Sequence, residues 1–135
     1  MLKKLAVAGI AAATLTLTNL PLASNAAPDG KAIFAARCAA CHQATGAGIP
    51  GAFPPLAKNP NVTGDAKKPI TTVVKGAQGA IKVNGATYNG VMQAWRGAPP
   101  ALLSNAEIAA VITYVRSSWG NKASAVTEAQ VAAVK

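Results

Sequence analysis

Cys38-Ala39-Ala40-Cys41-His42 is the stretch on which the reading of this 135-residue chain turns. Cysteines at i and i+3 present their sulfurs along one side of a single helical turn, and a histidine directly after them can swing beneath whatever both sulfurs hold. That is the spacing by which two thiols add to the two vinyl groups of haem while the next residue ligates its iron. The competing readings are a structural disulfide, which suits an exported protein with one pair of cysteines, and a redox-active dithiol. A dithiol of the thioredoxin kind belongs at the start of a helix that follows a strand, and here the motif follows a helical run. A histidine adjacent to the pair is the narrower pattern, and it favours haem attachment.

The export of the chain is read from its beginning. Lys3 and Lys4 precede an apolar run of 13 residues, Leu5 to Leu17, and Ser24-Asn25-Ala26 places small residues before a cut. This predicts a signal peptide over residues 1–26, with a mature domain over 27–135 and the last part, 121–135, as a tail. A spanning helix needs about 20 apolar residues, and this run is interrupted by Thr14, Thr16, Thr18 and Asn19. No cysteine follows it to accept a lipid, and no later segment is long and apolar enough to span a bilayer. Removing 26 of the 135 residues leaves 109; two lysines and no acid leave with them, so the net charge falls from +9 to +7. The expected location is the periplasm or an equivalent compartment.

What the mature chain lacks excludes most chemistry. Cys38, Cys41 and His42 are its only cysteines and histidine, three zinc donors where a structural zinc site needs four. Its carboxylates are Asp29, Asp65, Glu107 and Glu128, with no pairing that suggests a hydrolase. No glycine-rich phosphate loop is present. With 13% charged residues and no basic run longer than Lys67-Lys68, nucleic acid is a poor partner.

Local patterns outline the fold. Asp29 to Arg37 reads as a helix that delivers Cys38, with Ile33 and Phe34 on its buried face. Gly46, Gly48, Pro50, Gly51, Pro54 and Pro55 break regular structure, so Ile49, Phe53 and Leu56 are expected on a loop that wraps the haem. Asn61 to Asp65 offers cap residues ahead of a short helix from Pro69 to Lys75 ended by Gly76, although its β-branched run also suits a strand. Ile81-Lys82-Val83, Asn84-Gly85 and Ala86-Thr87-Tyr88 form a hairpin signal. Ser104 and Glu107 make a capping box, Leu103 and Ile108 a hydrophobic staple, for a helix over 105–118 whose stripe is Ile108, Val111, Ile112, Val115 and Trp119. Thr127 to Gln130 looks like a second capping box on a terminal helix, with fraying as the alternative.

His42 supplies one axial bond to iron, which leaves Met92, a lysine or water for the other. Met92 is the single methionine beyond the leader, it lies in Tyr88-Asn89-Gly90-Val91-Met92, and Gly90 permits a close approach. A methionine is more often core filler, but with a haem inferred the Met/His pattern is the better reading.

The chain at this point resembles the class I cytochromes c, over nearly all of residues 28–120. The resemblance rests on Gly30 and Phe34 before the Cys38–His42 motif, Pro54-Pro55-Leu56 after it, Tyr88 to Met92 with Trp95, Glu107 to Tyr114, and the ending Val115 to Asn121. It is similar to short periplasmic monohaem carriers and to haem domains of dehydrogenase cytochrome subunits. The resemblance implies an all-α fold, three to five helices around one haem c attached through Cys38 and Cys41, with the hairpin near residues 80–88. It implies His42 and Met92 as iron ligands, and Tyr88 and Trp95 among the haem-binding residues. It further implies Pro54, with Pro55 as the alternative, as the carbonyl that takes the histidine ring N–H, and Gly30 and Tyr114 as contacts where the first and last long helices cross. Many relatives carry proline after the methionine; here Gln93 follows, a change that loosens the Met92 loop.

Two filled axial positions imply electron transfer between a dehydrogenase or reductase and a terminal oxidase, with no enzyme activity of its own. The haem propionates lower the charge to about +5, and Lys58, Lys67, Lys68, Lys75, Lys82 and Arg96 are expected near the haem rim, facing acidic redox partners. A monomer is expected. The alternatives are a fixed dehydrogenase subunit, or a sensor or peroxidase-like protein should Met92 not coordinate.

Overall fold

Asp29 starts the first helix: its carboxylate accepts from the amides of Lys31 and Ala32 at 2.9 and 3.2 Å, satisfying two donors that have no partner inside the helix. The structure, a computed structural model, describes residues 26–98 and 102–135, so the expected leader falls outside the described residues except for Ala26. Within them run α1 (Gly30–Arg37), α2 (Ala39–His42), α3 (Pro60–Thr63), α4 (Lys67–Lys75), β1 (Ile81–Val83), β2 (Ala86–Tyr88), α5 (Asn105–Ser117) and α6 (Glu128–Ala132). The all-α expectation with one hairpin holds. The described residues contain six helices, above the three to five expected, because α2, α3 and α6 are single turns of four or five residues.

α1 and α5 cross at Gly30. A Cβ there would overlap the Ala110 carbonyl and come within 3.0 Å of the Tyr114 Cβ, so only hydrogen lets the two backbones approach this closely. Phe34 projects from α1 into the core, 2% exposed, with its ring centroid 5.6 Å from Tyr114 and 5.0 Å from Trp119. Ile33 is only half-buried. α5 opens on the expected capping box, Glu107 N–H to Ser104 Oγ at 3.2 Å and Ser104 N–H to Glu107 Oε2 at 2.8 Å, and buries Ile108, Val111, Ile112 and Val115. Trp119 does not belong to that stripe. The helix ends at Ser117, Trp119 adopts φ 53°, and its indole N–H donates to Ala44 at 3.1 Å.

The β-branched run Ile70–Val74 is helical. Pro69 sits in the first turn of α4, where no intrahelical N–H is required, and Thr72 satisfies its hydroxyl on the Lys68 carbonyl at 3.1 Å. Ile70 and Val74 then share the buried face. Asp65 does support the start of α4, accepting from Lys67 N–H at 2.9 Å. The turn α3 was not foreseen: Asn59 caps it by accepting from Asn61 N–H at 2.9 Å, with Pro60 at its first position. The hairpin pairs Ile81 with Tyr88, Lys82 with Thr87 and Val83 with Ala86, and Asn84 and Gly85 both have positive φ, 51° and 84°, as a type I′ turn demands.

The tail is part of the core. Thr127 and Gln130 form the second capping box, and α6 buries Val131 completely, with Val134 just beyond it. Arg116, 3% exposed, gives its donors to the carbonyls of Val62, Gly64 and Ser124, tying α5 to α3 and to the tail.

Gly30→Ala tests the helix crossing. Overpacking a tight backbone contact costs about 2 kcal/mol, which for a domain of this size lowers the thermal midpoint by roughly 10 °C. A calorimetric midpoint equal to that of the parent protein would contradict the crossing.

Candidate haem site

The motif turn α2 follows α1 without a linker, because Cys38 caps both helices: its N–H donates to Phe34 at 2.9 Å, and its carbonyl accepts from His42 N–H at 3.0 Å. This places the motif on the inner side of the loop that runs from Gly46 to Leu56. The loop is held by backbone bonds, Ile49 N–H to Phe53 and Phe53 N–H to Ile49 at 2.8 and 2.9 Å, and Leu56 N–H to Gly46 at 2.8 Å. From the other direction the chain after the hairpin closes in at Gly90. Its N–H donates to Ala52 at 2.8 Å, and a Cβ at Gly90 would lie 2.8 Å from the Phe53 ring.

Between these segments lies a cavity of about 420 Å³, walled mainly by apolar groups. The motif contributes Cys38 and His42, the loop contributes Phe53, Pro54 and Leu56, and α4 contributes Pro69, Thr72 and Val73. Ile81, Val83, Val91, Met92 and Trp95 form another part of the wall, and Leu103, Val111, Ile112 and Val115 a further part. Five of the seven residues singled out from sequence thus face one space: Cys38, His42, Pro54, Met92 and Trp95. Cys41 is exposed on the same turn as His42, and Tyr88 is half-buried on β2 opposite Ile81; neither lines the cavity.

His42 is 8% exposed, and its Nδ1 lies 3.0 Å from the Pro54 carbonyl oxygen. A carbonyl only accepts, so Nδ1 carries the proton and Nε2 keeps its lone pair, the form in which imidazole binds a metal. Burial lowers the His42 pKa below its ordinary value, with the Pro54 bond pulling the other way, so the ring is neutral at neutral pH. The alternative carbonyl, Pro55, is engaged by the Asn59 side-chain amide at 2.7 Å. Burial and the neighbouring Cys41 push the Cys38 thiol up to about 11, so the free thiol stays protonated. A buried neutral imidazole, a half-buried thioether and two adjacent thiols around an apolar space suit an iron porphyrin held covalently at its edge.

Several features were not legible in the sequence. Asn59, 3% exposed, lines the cavity while capping α3 and bonding Pro55. Asn121 closes the far end of the same loop, donating to Leu56 and Val115 at 3.0 and 2.8 Å and accepting from Lys58 N–H at 2.8 Å. Among the six basic residues expected at the rim, Lys68 and Lys82 line the cavity; Lys58, Lys67 and Lys75 are exposed but do not. Arg96 is turned away, its guanidinium donating to the carbonyls of Val131 and Val134. Ile49 does not wrap the cavity either, being 37% exposed outside its wall.

The sequence matches the Cytochrome c family over residues 27–119. It is 42% identical over 113 residues to cytochrome c-552 of Thermus thermophilus, covering 81% of this chain and 70% of that protein. It is also 31% identical over 116 residues to the cytochrome c subunit of the quinone alcohol dehydrogenase of Gluconacetobacter polyoxogenes, covering 80% of this chain and 22% of that subunit. The gluconate 2-dehydrogenase cytochrome c subunit of Pantoea cypripedii is 30% identical over 115 residues, covering 78% of this chain and 24% of that subunit. The chain belongs to the cytochrome c family: it has the cytochrome c fold, its cofactor is haem c, and its function is electron transfer.

Removing one thiol at a time tests attachment. Cys38→Ser and Cys41→Ser should each retain haem through a single thioether, with the reduced pyridine haemochrome band displaced to longer wavelength, and the double variant should carry no covalent haem by mass spectrometry. Haem covalently retained in the double variant would contradict attachment at this turn.

Proposed function

We propose that the chain is an exported, periplasmic carrier that takes one electron from a dehydrogenase or reductase and passes it to a terminal oxidase, with His42 and Met92 as the two iron ligands. The observation that supports this most is that His42 and Met92, 50 residues apart and on different segments, line a single apolar cavity together with the thiol of Cys38. Bound haem supplies a reversible one-electron change at iron.

The residues of the chain do the rest. Cys38 and Cys41 hold the porphyrin edge in place. His42 binds through Nε2, and the Pro54 carbonyl, by accepting the Nδ1 proton, keeps that ring in one orientation and raises its basicity. The Met92 thioether favours the ferrous state and raises the potential. Gln93 adds no rigid ring after it, but Met92 is tied at both backbone groups, N–H and carbonyl each 2.8 Å from Ala77. Leu56, Val73, Val111 and Ile112 exclude water, and Trp95 packs beside Met92's segment in the same wall. Among the described residues lining the cavity none is a carboxylate, which supports a carrier over a peroxidase-like reaction.

Residues 1–26 serve in this reading as a cleaved signal peptide, and 27–135 as the cytochrome domain. No helix among the described residues is long and apolar enough to cross a membrane. Lys68 and Lys82, at the cavity wall, are the charges best placed to meet an acidic partner, and the carrier works as a monomer. The names of the relatives favour one second reading, a fixed cytochrome subunit of a dehydrogenase. Gel filtration of a native extract separates the two: the shuttle elutes as a small monomer, the subunit with its complex.

Oxidation of the reduced protein by small ions tests the electron exit. With anionic hexacyanoferrate(III), Lys68→Glu/Lys82→Glu should react about 10-fold more slowly at low salt, and the difference should vanish near 1 M salt, where screening acts within about 3 Å. With a cationic cobalt complex the same variant should react faster. Rates that ignore both substitutions and salt would overturn the assignment of this edge.

A further inference from the structure

We infer that Arg96 is a positioning residue which, with the C-terminal turn α6, clamps the Met92 segment and holds its thioether in place. The inference rests on Met92 being an iron ligand.

Arg96 stands four residues beyond Met92 and sends its guanidinium across to the end of the chain. Nη1 donates to the Val134 carbonyl at 2.6 Å and Nη2 to the Val131 carbonyl, partners 38 and 35 residues away in sequence. Val131 lies in the last turn of α6, where its carbonyl also accepts from Val134 N–H at 3.2 Å, and Val134 lies just beyond the helix. The planar fork of arginine reaches both carbonyls at once, which a lysine ammonium at the end of a flexible stem does less well.

The other end of this tie is fixed. Val131 is 0% exposed and Val134 9%, both within the main apolar core, and the capping box of Thr127 and Gln130 secures the start of α6. At the near end the Met92 segment is held by backbone bonds: Met92 to Ala77, Trp95 N–H to Val73 at 2.9 Å, and Leu103 N–H to the Trp95 carbonyl at 2.7 Å. Gln93 and Ala94, which lie between these bonds, are exposed. Arg96 adds a charge-assisted attachment to a buried element, the turn α6, with its Nε buried and without a partner. A buried guanidinium with an unmet donor costs energy, so its two carbonyl bonds have to offset more than an exposed arginine's would. Releasing it frees residues 93–97 to swing, and Met92 with them.

The test uses the haem-loaded ferric protein and measures the rate at which cyanide displaces the sixth ligand, together with the long-wavelength sulfur-to-iron absorption band. Variants are Arg96→Ala, Arg96→Lys and deletion of residues 128–135. Gly30→Ala, at the crossing of α1 and α5, serves as a control that lowers stability away from the tie. Cyanide should bind at least about 10-fold faster in Arg96→Ala and in the deletion, as expected for losing two hydrogen bonds from a charged group. Arg96→Lys should fall between these and the parent. Gly30→Ala should keep the parent's rate although its denaturation midpoint falls. Amide exchange at Trp95 should accelerate in Arg96→Ala and not in Gly30→Ala. Equal cyanide rates in the parent, Arg96→Lys and the deletion would overturn the clamp, and so would an equal acceleration in Gly30→Ala. A parent protein that lacks the band and binds cyanide as fast as Met92→Ala would instead remove the ligand assignment itself, and the clamp with it.

Discussion

The hydrogen bond from His42 Nδ1 to the Pro54 carbonyl, 3.0 Å long, is the contact on which the arrangement of the site depends. It joins the cysteine-bearing turn to the loop that covers it, and it settles which ring nitrogen keeps a lone pair. The rest of the loop is built so that this carbonyl stays where it is. Pro54 and Pro55 restrict the chain through their rings, Asn59 takes the Pro55 carbonyl, and Asn121 takes that of Leu56. A loop with no regular structure is thereby immobilised by side-chain amides that are themselves buried.

The same economy runs through the fold. A chain this small has little core to spare, and the cavity of about 420 Å³ is walled partly by that core, so its walls need support from outside. α5 provides the floor through its crossing with α1 at Gly30. Arg116 and Arg96 provide two straps, one to the carbonyls of Val62 and Gly64 beside α3, the other to the end of α6. Both arginines are partnered by carbonyl oxygens, so each fixes backbone segments that are distant in sequence. In the proposed reading haem c would fill the space that these residues surround, and binding there would stabilise the folded chain.

What could be read in advance was whatever local chemistry dictates. The Cys38–His42 spacing, the capping boxes at Ser104 and Thr127 and the Asn84-Gly85 turn each depend on residues within five positions of one another. Even the β-branched run at Ile70–Val74 was half-legible, since Pro69 and Gly76 bracket it as helix termini do. Most of the misplaced features are long-range. Trp119 looked like a continuation of the α5 stripe because periodicity takes no account of a helix that has already ended at Ser117. Its ring is instead anchored to Ala44, 75 residues away. Arg96 looked like one more surface charge, and only the folded chain brings Val131 and Val134 to it. Asn59 followed by Pro60 is a local signal for a helix start, but its bond to the Pro55 carbonyl is not, and Arg116 and Asn121 read as solvated until their distant partners are in place. Tyr88 belongs to the haem residues by its neighbours in the motif, whereas the structure sets it across from Ile81 in the hairpin, half-buried and not among the residues lining the cavity.

One methionine and one histidine are brought to a common cavity from segments 50 residues apart, and the central claim is that both would bind the iron of a haem held there. The most direct measurement is the proton NMR spectrum of the fully reduced, haem-loaded protein. A methionine held against the porphyrin face places its methyl group in the ring current, so the account predicts a three-proton singlet far upfield, present in the parent and absent in Met92→Ala. A parent spectrum without that resonance, or one that keeps it after Met92 is replaced, would contradict the account.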